Sequence, residues 1–330
     1  MHKSDEFEKM ISMQPESFEL HRRYALYLYE LENYSRCFDI LHEAMYLYEE
    51  NPASSSQGDY FVLRRIEQNL RRMHMRELIG DVHFLLAMGW QPVFKRGLVR
   101  ELVLQLNETN VRYLVTGLQH PKLRKLRGLS LRFQNSAMDV LPILANLSFS
   151  PIRALQLHFS ENILCSHVAQ FVRNIRQSLA NLKLFYLQMP RIVDDSAIAI
   201  KKMLADIPYF TLHSQERSGM THRTAYFIAD DAASESLEEL ALVGTQIGDR
   251  GLLALAMSKH LTKLSRLSLK DGVLSNNAAR ILTADHELRG IGSLDLSYNE
   301  IDEAGIASLQ KLNIKQELGH QHQRPAGAIQ

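Results

Sequence analysis

The residues able to do chemistry are few and widely scattered. Cys165-Ser-His167 opens a helical stretch, where a helix N-terminus can lower a thiol pKa and a nearby imidazole can act as a base. Residues two apart do not face each other on a helix, so the pair cannot act together, and a buried structural cysteine is the better reading. His320 and His322 are spaced to touch a metal, but two flexible imidazoles make a poor site. Asp194-Asp195, followed by Ser196, suits a helix start; Asp230-Asp231 suits a solvated turn. The arginines at 64, 65, 71, 72 and 76 could meet an acidic partner. Glu67 and Glu77 dilute them, which favours a solvated helix face. There is no Gly-rich phosphate loop, no H-E-x-x-H and no CxxC pair. No catalytic residue, cofactor site or metal site is expected.

The elements that must position these residues come from a repeat. Leu237-Glu-Glu-Leu240-Ala-Leu242, Leu264-Ser-Arg-Leu267-Ser-Leu269 and Ile291-Gly-Ser-Leu294-Asp-Leu296 follow one another at steps of 27 residues. Followed backwards, the first position falls at Val99, Leu126, Ile152, Leu182 and Ile207, each with apolar residues at +3 and +5. Alternation gives each copy a strand with one apolar face. Helical segments follow at Val111–Leu118, Ala137–Leu144, Ser166–Leu179, Ser196–Leu204, Arg223–Asp230, Asp249–Ser258, Asn276–Ala284 and Glu303–Leu312. A unit of this kind cannot bury its apolar side alone; stacked copies can.

The pattern L-x-x-L-x-L-x-x-N-x-L, complete with Asn299 in the last copy, resembles a leucine-rich repeat. The unit length is similar to that of ribonuclease-inhibitor-like repeats. The resemblance implies an α/β solenoid of about eight strand–helix repeats. Its parallel sheet would be concave, with helices on the convex side. Copies at Ile152, Leu182 and Ile207 depart from the pattern after the strand, so their convex sides are expected to be irregular. Ser214 to Ser218, with Gly219, reads as an exposed loop. Leu309 to Ile314 reads either as a ninth strand or, preferably, as the tail of the last helix. Residues 319–330 have nothing to bury and read as a disordered tail.

Residues 1–89 read as an all-α cap. Helices are expected to Ile11, over 15–31, over Tyr34–Glu50, over Asp59–Ile79 and over Val82–Met88. His21, Tyr24, Ala25, Leu28, Tyr34, Cys37, Leu41 and Ala44 resemble a tetratricopeptide repeat, and Arg23 to Glu32 is also similar to the helical region before leucine-rich repeats in certain bacterial proteins. Gly89-Trp90 and Arg96 to Leu102 look like the junction in those proteins. Residues 90–318 form the solenoid in this reading.

In this architecture the concave face usually binds, and positions +2, +4, +6 and +7 are expected to point away from the core. That places Arg132, Phe133, His158, Phe159, Tyr186, Gln188, His213, Lys270 and Asp295 on a partner-binding surface, with Met189 beside them. Aromatic residues, Met and Arg are enriched at interface cores. The competing reading packs Phe133 and Phe159 against the strand-to-helix turn.

Composition agrees with a binding protein. Formal net charge is +1, which argues against a main task of neutralising nucleic-acid phosphate. Two distant cysteines, Cys37 and Cys165, are no disulfide framework and favour a reducing cytoplasm. The N-terminal residues lack the apolar core of a secretory signal, and no apolar run has the length of a membrane span. The expectation is a monomeric, non-enzymatic scaffold for a protein partner. The alternatives are a bacterial effector or regulator that binds host or signalling proteins, and a cysteine-dependent role beside an enzyme.

Overall fold

The computed structural model describes residues 3–51, 57–74, 89–95, 98–118, 123, 126–133, 137–160, 163–216, 219–284, 287–312 and 314–318. The expected helix Val82–Met88, Arg76, the Arg96-Gly97 junction, Ser218 and the tail with His320 and His322 lie outside those residues. The chain divides into two compact units. One comprises residues 1–104 and 113–127, the other 105–112 and 128–330.

The first unit carries four N-terminal helices, α1 (Lys3–Met13), α2 (Phe18–Glu30), α3 (Tyr34–Glu50) and α4 (Gln57–Met73). Helix α2 starts at Phe18, after Pro15, because the Ser17 side chain accepts from the Leu20 N–H. Asn33 caps α3 in the same way. Leu28, Leu41 and Ala44 are buried between these helices, and the buried Cys37 thiol donates to the Ala25 carbonyl. Glu67 of α4 is buried rather than solvated. It holds His42 at 3.3 Å and Arg71 at 2.5 Å, so the arginine-bearing helix is pinned by its own acid. Strand β1 (Gln91–Lys95), absent from the sequence reading, pairs antiparallel with β2 (Leu98–Leu106). Helix α5 (Val111–Leu118) follows.

The second unit is the repeat array. Its strands are β3 (Gly128–Phe133), β4 (Ala154–Phe159), β5 (Leu184–Met189), β6 (Tyr209–Ser214), β7 (Glu239–Val243), β8 (Arg266–Ser268), β9 (Ser293–Asp295) and β10 (Lys315–Glu317). Between them lie α6 (Ala137–Leu144), α7 (Cys165–Ile175), α8 (Asp194–Met203), α9 (His222–Asp230), α10 (Gly248–Ala256), α11 (Asn276–Thr283) and α12 (Glu303–Leu309). Strands β3 to β10 lie side by side in chain order, every neighbouring pair parallel.

The repeat arithmetic is also the sheet register. Leu129, Leu155, Phe185, Phe210, Leu240, Leu267 and Leu294, all at +3, are paired across consecutive strands and buried. At the end of this row Gln316 takes the place of a leucine. Its amide donates to the Leu309 and Leu312 carbonyls and so closes the last helix. Among the described residues, 310–312 and 314 are therefore neither strand nor helix. Helix α12 stops at Leu309, a turn follows, and strand β10, parallel to β9, forms just beyond, at Lys315–Glu317.

The segments after β4 and β6 are irregular as expected, their α-helices giving way to 3-10 turns at Arg176–Leu179 and Ala232–Ser236, while acids tie some neighbouring turns together. Asp194 does not cap its own helix α8. It accepts from the Thr221 N–H (2.9 Å) and hydroxyl (2.7 Å) and from the Thr224 hydroxyl at the start of α9. Burial works to raise its pKa, but these bonds outweigh burial and hold it below the usual carboxylate value. Asp249 serves Ser275 of the next repeat in the same way, at 2.9 and 2.5 Å.

Candidate functional site

Strands β4, β5 and β6 each show alternation of buried and half-buried residues, so one sheet face is covered and the other is partly open. The open face carries +2, +4 and +6. Position +7 does not belong to it. Side-chain direction alternates with period two, so +7 lies with +3 and +5. Phe133 and Phe159 are accordingly 2% and 1% exposed, their rings stacked at 4.4 Å. Met189 is fully buried, and Ser214 is buried with its hydroxyl donating to the Pro190 and Glu216 carbonyls. The assignment of Phe133 and Phe159 to the binding surface is thereby overturned: they are core residues. So is the reading of Ser214 as exposed loop.

Of the remaining residues, His158, Tyr186, Gln188 and His213 assemble, with Arg132 beside them in register, whereas Lys270 and Asp295 have other partners. Arg132 pairs in register with His158, His158 with Gln188, and Gln188 with His213. The Gln188 amide is the hub. Its Oε1 lies 3.1 Å from His158 Nδ1 and 3.0 Å from the Tyr186 hydroxyl. That hydroxyl lies 3.1 Å from His213 Nδ1. One proton arrangement satisfies all three contacts. His158 Nδ1–H and the Tyr186 hydroxyl both donate to Gln188 Oε1, and His213 Nδ1–H donates to the Tyr186 oxygen. The His158 and Tyr186 rings sit 5.0 Å apart. Both imidazoles then have acceptor character at Nε2. The Nε2 of His158 is shielded from solvent and has no hydrogen-bond partner.

The electrostatics are consistent with neutral histidines. Burial lowers the His158 pKa and the Arg132 charge lowers it further, against the opposing bond from Gln188. Burial also lowers that of His213, with Lys270 and His158 acting in the same direction and Asp271 against them. Burial raises the Tyr186 pKa. Lys270 stands 4.7 Å over the Tyr298 ring. Asp295 is occupied separately. It accepts from the Ser268 hydroxyl at 3.1 Å and from the Ser297 N–H and hydroxyl at 3.0 and 2.7 Å.

Cys165 is buried, and burial raises its pKa against weaker bonds from Ser196 and Val193. That environment suits packing rather than nucleophilic attack. Among the described residues no group of three or more His, Cys, Asp or Glu is placed to hold a metal, and no helix is long and apolar enough to cross a membrane. What sequence reasoning could not supply was the role of Gln188 as shared acceptor, since only the observed register brings it between His158 and His213.

No family model matches the chain, and no curated protein sequence matches it. Among solved structures, a protein from Bacteroides fragilis superposes with a TM-score of 0.49 at 13% identity, over 80% of this chain and 85% of its own. An internalin from Listeria monocytogenes gives a TM-score of 0.32 at 13% identity, over 77% of this chain and 89% of its own.

Proposed function

We propose that the chain is a non-enzymatic binding protein of leucine-rich-repeat type, which takes a protein partner on the open face of its repeat sheet. The observation that carries this reading is the linked set Arg132, His158, Tyr186, Gln188 and His213. These residues stand on four neighbouring strands; His158, Tyr186, Gln188 and His213 hold one another at hydrogen-bond distance on the partly open face, and Arg132 neighbours His158 in register. Such a set offers preordered donors, acceptors and aromatic area, which is what interface anchors require. The buried Cys165 thiol favours binding over covalent chemistry. The helices α1 to α4 fit the role of a tetratricopeptide-like cap, and the two free, distant cysteines fit a reducing cytoplasm.

The test is a pull-down with the intact chain, followed by calorimetry on the partner it identifies. Tyr186→Ala is expected to weaken binding by about 1–3 kcal/mol. Equal affinities for wild type, Tyr186→Ala and Arg132→Ala would remove the partner from this face.

A further inference from the structure

We propose that the +6 row, running from Arg132 through His158, Gln188 and His213 to Lys270, is a docking track for an acidic peptide segment, and that docking takes up protons. The proposal rests on the reading of this face as a protein-binding surface and adds the chemistry of what it binds.

Geometry comes first. Arg132, His158, Gln188, His213 and Val243 are direct neighbours across β3 to β7. Lys270 continues the row just beyond β8, where its carbonyl accepts from the Gly244 N–H at 3.0 Å. At about 4.8 Å per strand the row spans roughly 24 Å, the reach of about seven extended residues. A peptide crossing it would meet a cation at each end and two imidazoles between.

Charge chooses the occupant. Arg132 and Lys270 form no ion pair among the described residues, whereas Arg266 and Glu239 on the same face neutralise each other at 2.6 Å. Two acids lie near the Lys270 end of the row, Asp295, which accepts from Ser268 and Ser297, and Asp271, beside His213. His158 faces Arg132 from β3 and Tyr186 and Gln188 from β5. His213 faces Tyr186 from β5, Lys270 and Asp271 after β8, and His158 from β4. Cations thus help to keep both imidazoles neutral. A carboxylate laid along the row would reverse that balance. Two full cations so far apart, joined by neutral groups, suit spaced carboxylates better than a continuous phosphate backbone, which demands many cations.

The experiment uses the full chain and a tetramethylrhodamine-labelled heptaglutamate peptide, followed by anisotropy at low salt from pH 7.5 to about 6, where the glutamates stay ionised. Binding should tighten on acidification by up to about tenfold per pH unit for each proton taken up. Arg132→Ala and Lys270→Ala should each weaken it several-fold, and His158→Gln with His213→Gln should reduce the pH slope. Circular dichroism melts check that each variant is folded; if the histidine pair fails, the histidine NMR titration of wild type with and without peptide decides, bound pKa values being expected to rise. The proposal is overturned by no measurable binding, by a flat pH profile with unmoved histidine titrations, or by an oligothymidylate that binds more tightly through the same residues. A partner that is lost in Tyr186→Ala while heptaglutamate fails to bind would sink this proposal and leave the protein-binding reading intact. A partner untouched by Tyr186→Ala would sink that reading instead.

Discussion

Strands β3 to β6 and strands β8 to β9 are built from the same apolar pattern and end differently. The first group runs six residues each, the second three. The choice is made at +7. Phe133, Phe159, Met189 and Ser214 stay extended there and send their side chains inward. Asp271 and Tyr298 after β8 and β9 take φ of 56° and 61° instead, and so does Gly244 at 67° after β7, an intermediate strand of five residues that still keeps Val243 in the ladder. A left-handed residue turns the chain out of the sheet at once. Gly244 leaves no choice: a Cβ there would lie 1.9 Å from the Ser214 carbonyl oxygen. Long strands carry +6 into the hydrogen-bonded ladder, so His158, Gln188 and His213 are held in register. Short strands leave +6 in the turn, where Lys270 rests on an aromatic ring. Strand length therefore decides which repeats present an ordered surface.

The two regions also satisfy their backbones by different means. Extended strands use the ladder. The short ones need side chains, and Asn299 supplies them. It is fully buried; its Oδ1 accepts from the Gly272 and Leu274 N–H groups at 2.8 and 3.0 Å, and its Nδ2 donates to the Leu269 and Leu296 carbonyls at 2.9 Å each. The long-strand region is held by aromatic packing at the same place, and breaking each region needs a different substitution.

The largest effect is expected from Phe159→Ala. It removes one ring of a buried stack and leaves a cavity, at a cost of about 3–5 kcal/mol. Denaturant unfolding measures this, and a midpoint equal to wild type would return Phe159 to the surface. Asn299→Ala comes next, at about 2–4 kcal/mol, because two amides and two carbonyls lose their partner together. Hydrogen exchange should show the loss at Gly272 and Leu274 while the amides of β4 and β5 keep their protection, as expected of a linear array. Uniform loss along the array would merge the two regions into one.

How much of this was legible in the chain follows from the same distinction. The +3 and +5 rows were readable because burial and alternation write themselves into residue type; Leu240, Leu267 and Leu294 fall where their spacing puts them. Position +7 was not, since Phe at that place suits either a binding surface or a core, and only the extension of the strand decides. Asp194 and Asp249 look like caps of their own helices, yet they cap the next repeat through Thr221, Thr224 and Ser275, a partnership some 26 to 30 residues away. Strand β1 left no signal, because Gln91 to Lys95 has no alternation and contains a proline. The site was half visible: Arg132, His158, Tyr186, Gln188 and His213 stand on the predicted columns, but nothing in residue type foretells their shared hydrogen bonds.

A smaller effect should come from the strained turn of the short-strand region. Val273 adopts φ of 58°, unfavourable for a β-branched residue. Val273→Asn should stabilise the chain by about 0.5–1 kcal/mol, asparagine tolerating this conformation at little cost. Thermal melts would read this as a modest rise; an equal fall would mean that the valine side chain contributes more by packing than its backbone costs.

The smallest expected effect separates the regions by pH. His158 and His213 both belong to the long-strand face, and both have pKa values lowered mainly by burial. The unfolded chain therefore takes up protons at a higher pH than the folded one. Linkage then fixes the sign: their contribution is complete above the ordinary histidine value of 6.5 and is lost as pH falls from there through the lowered values. Carboxylates held low, such as Asp194, act in a separate and more acidic window, below their ordinary value of 3.8. Melting curves between pH 7.5 and 5 should thus fall with acid in wild type and fall less in the His158→Gln, His213→Gln variant. Hydrogen exchange across the same range should show β4 to β6 losing protection while β8 and β9 change little. If the short-strand repeats lost protection first, the histidines would not be the groups that titrate in this window. Bound heptaglutamate should weaken the trend, because an anion that raises both pKa values brings them back toward the ordinary histidine value of 6.5.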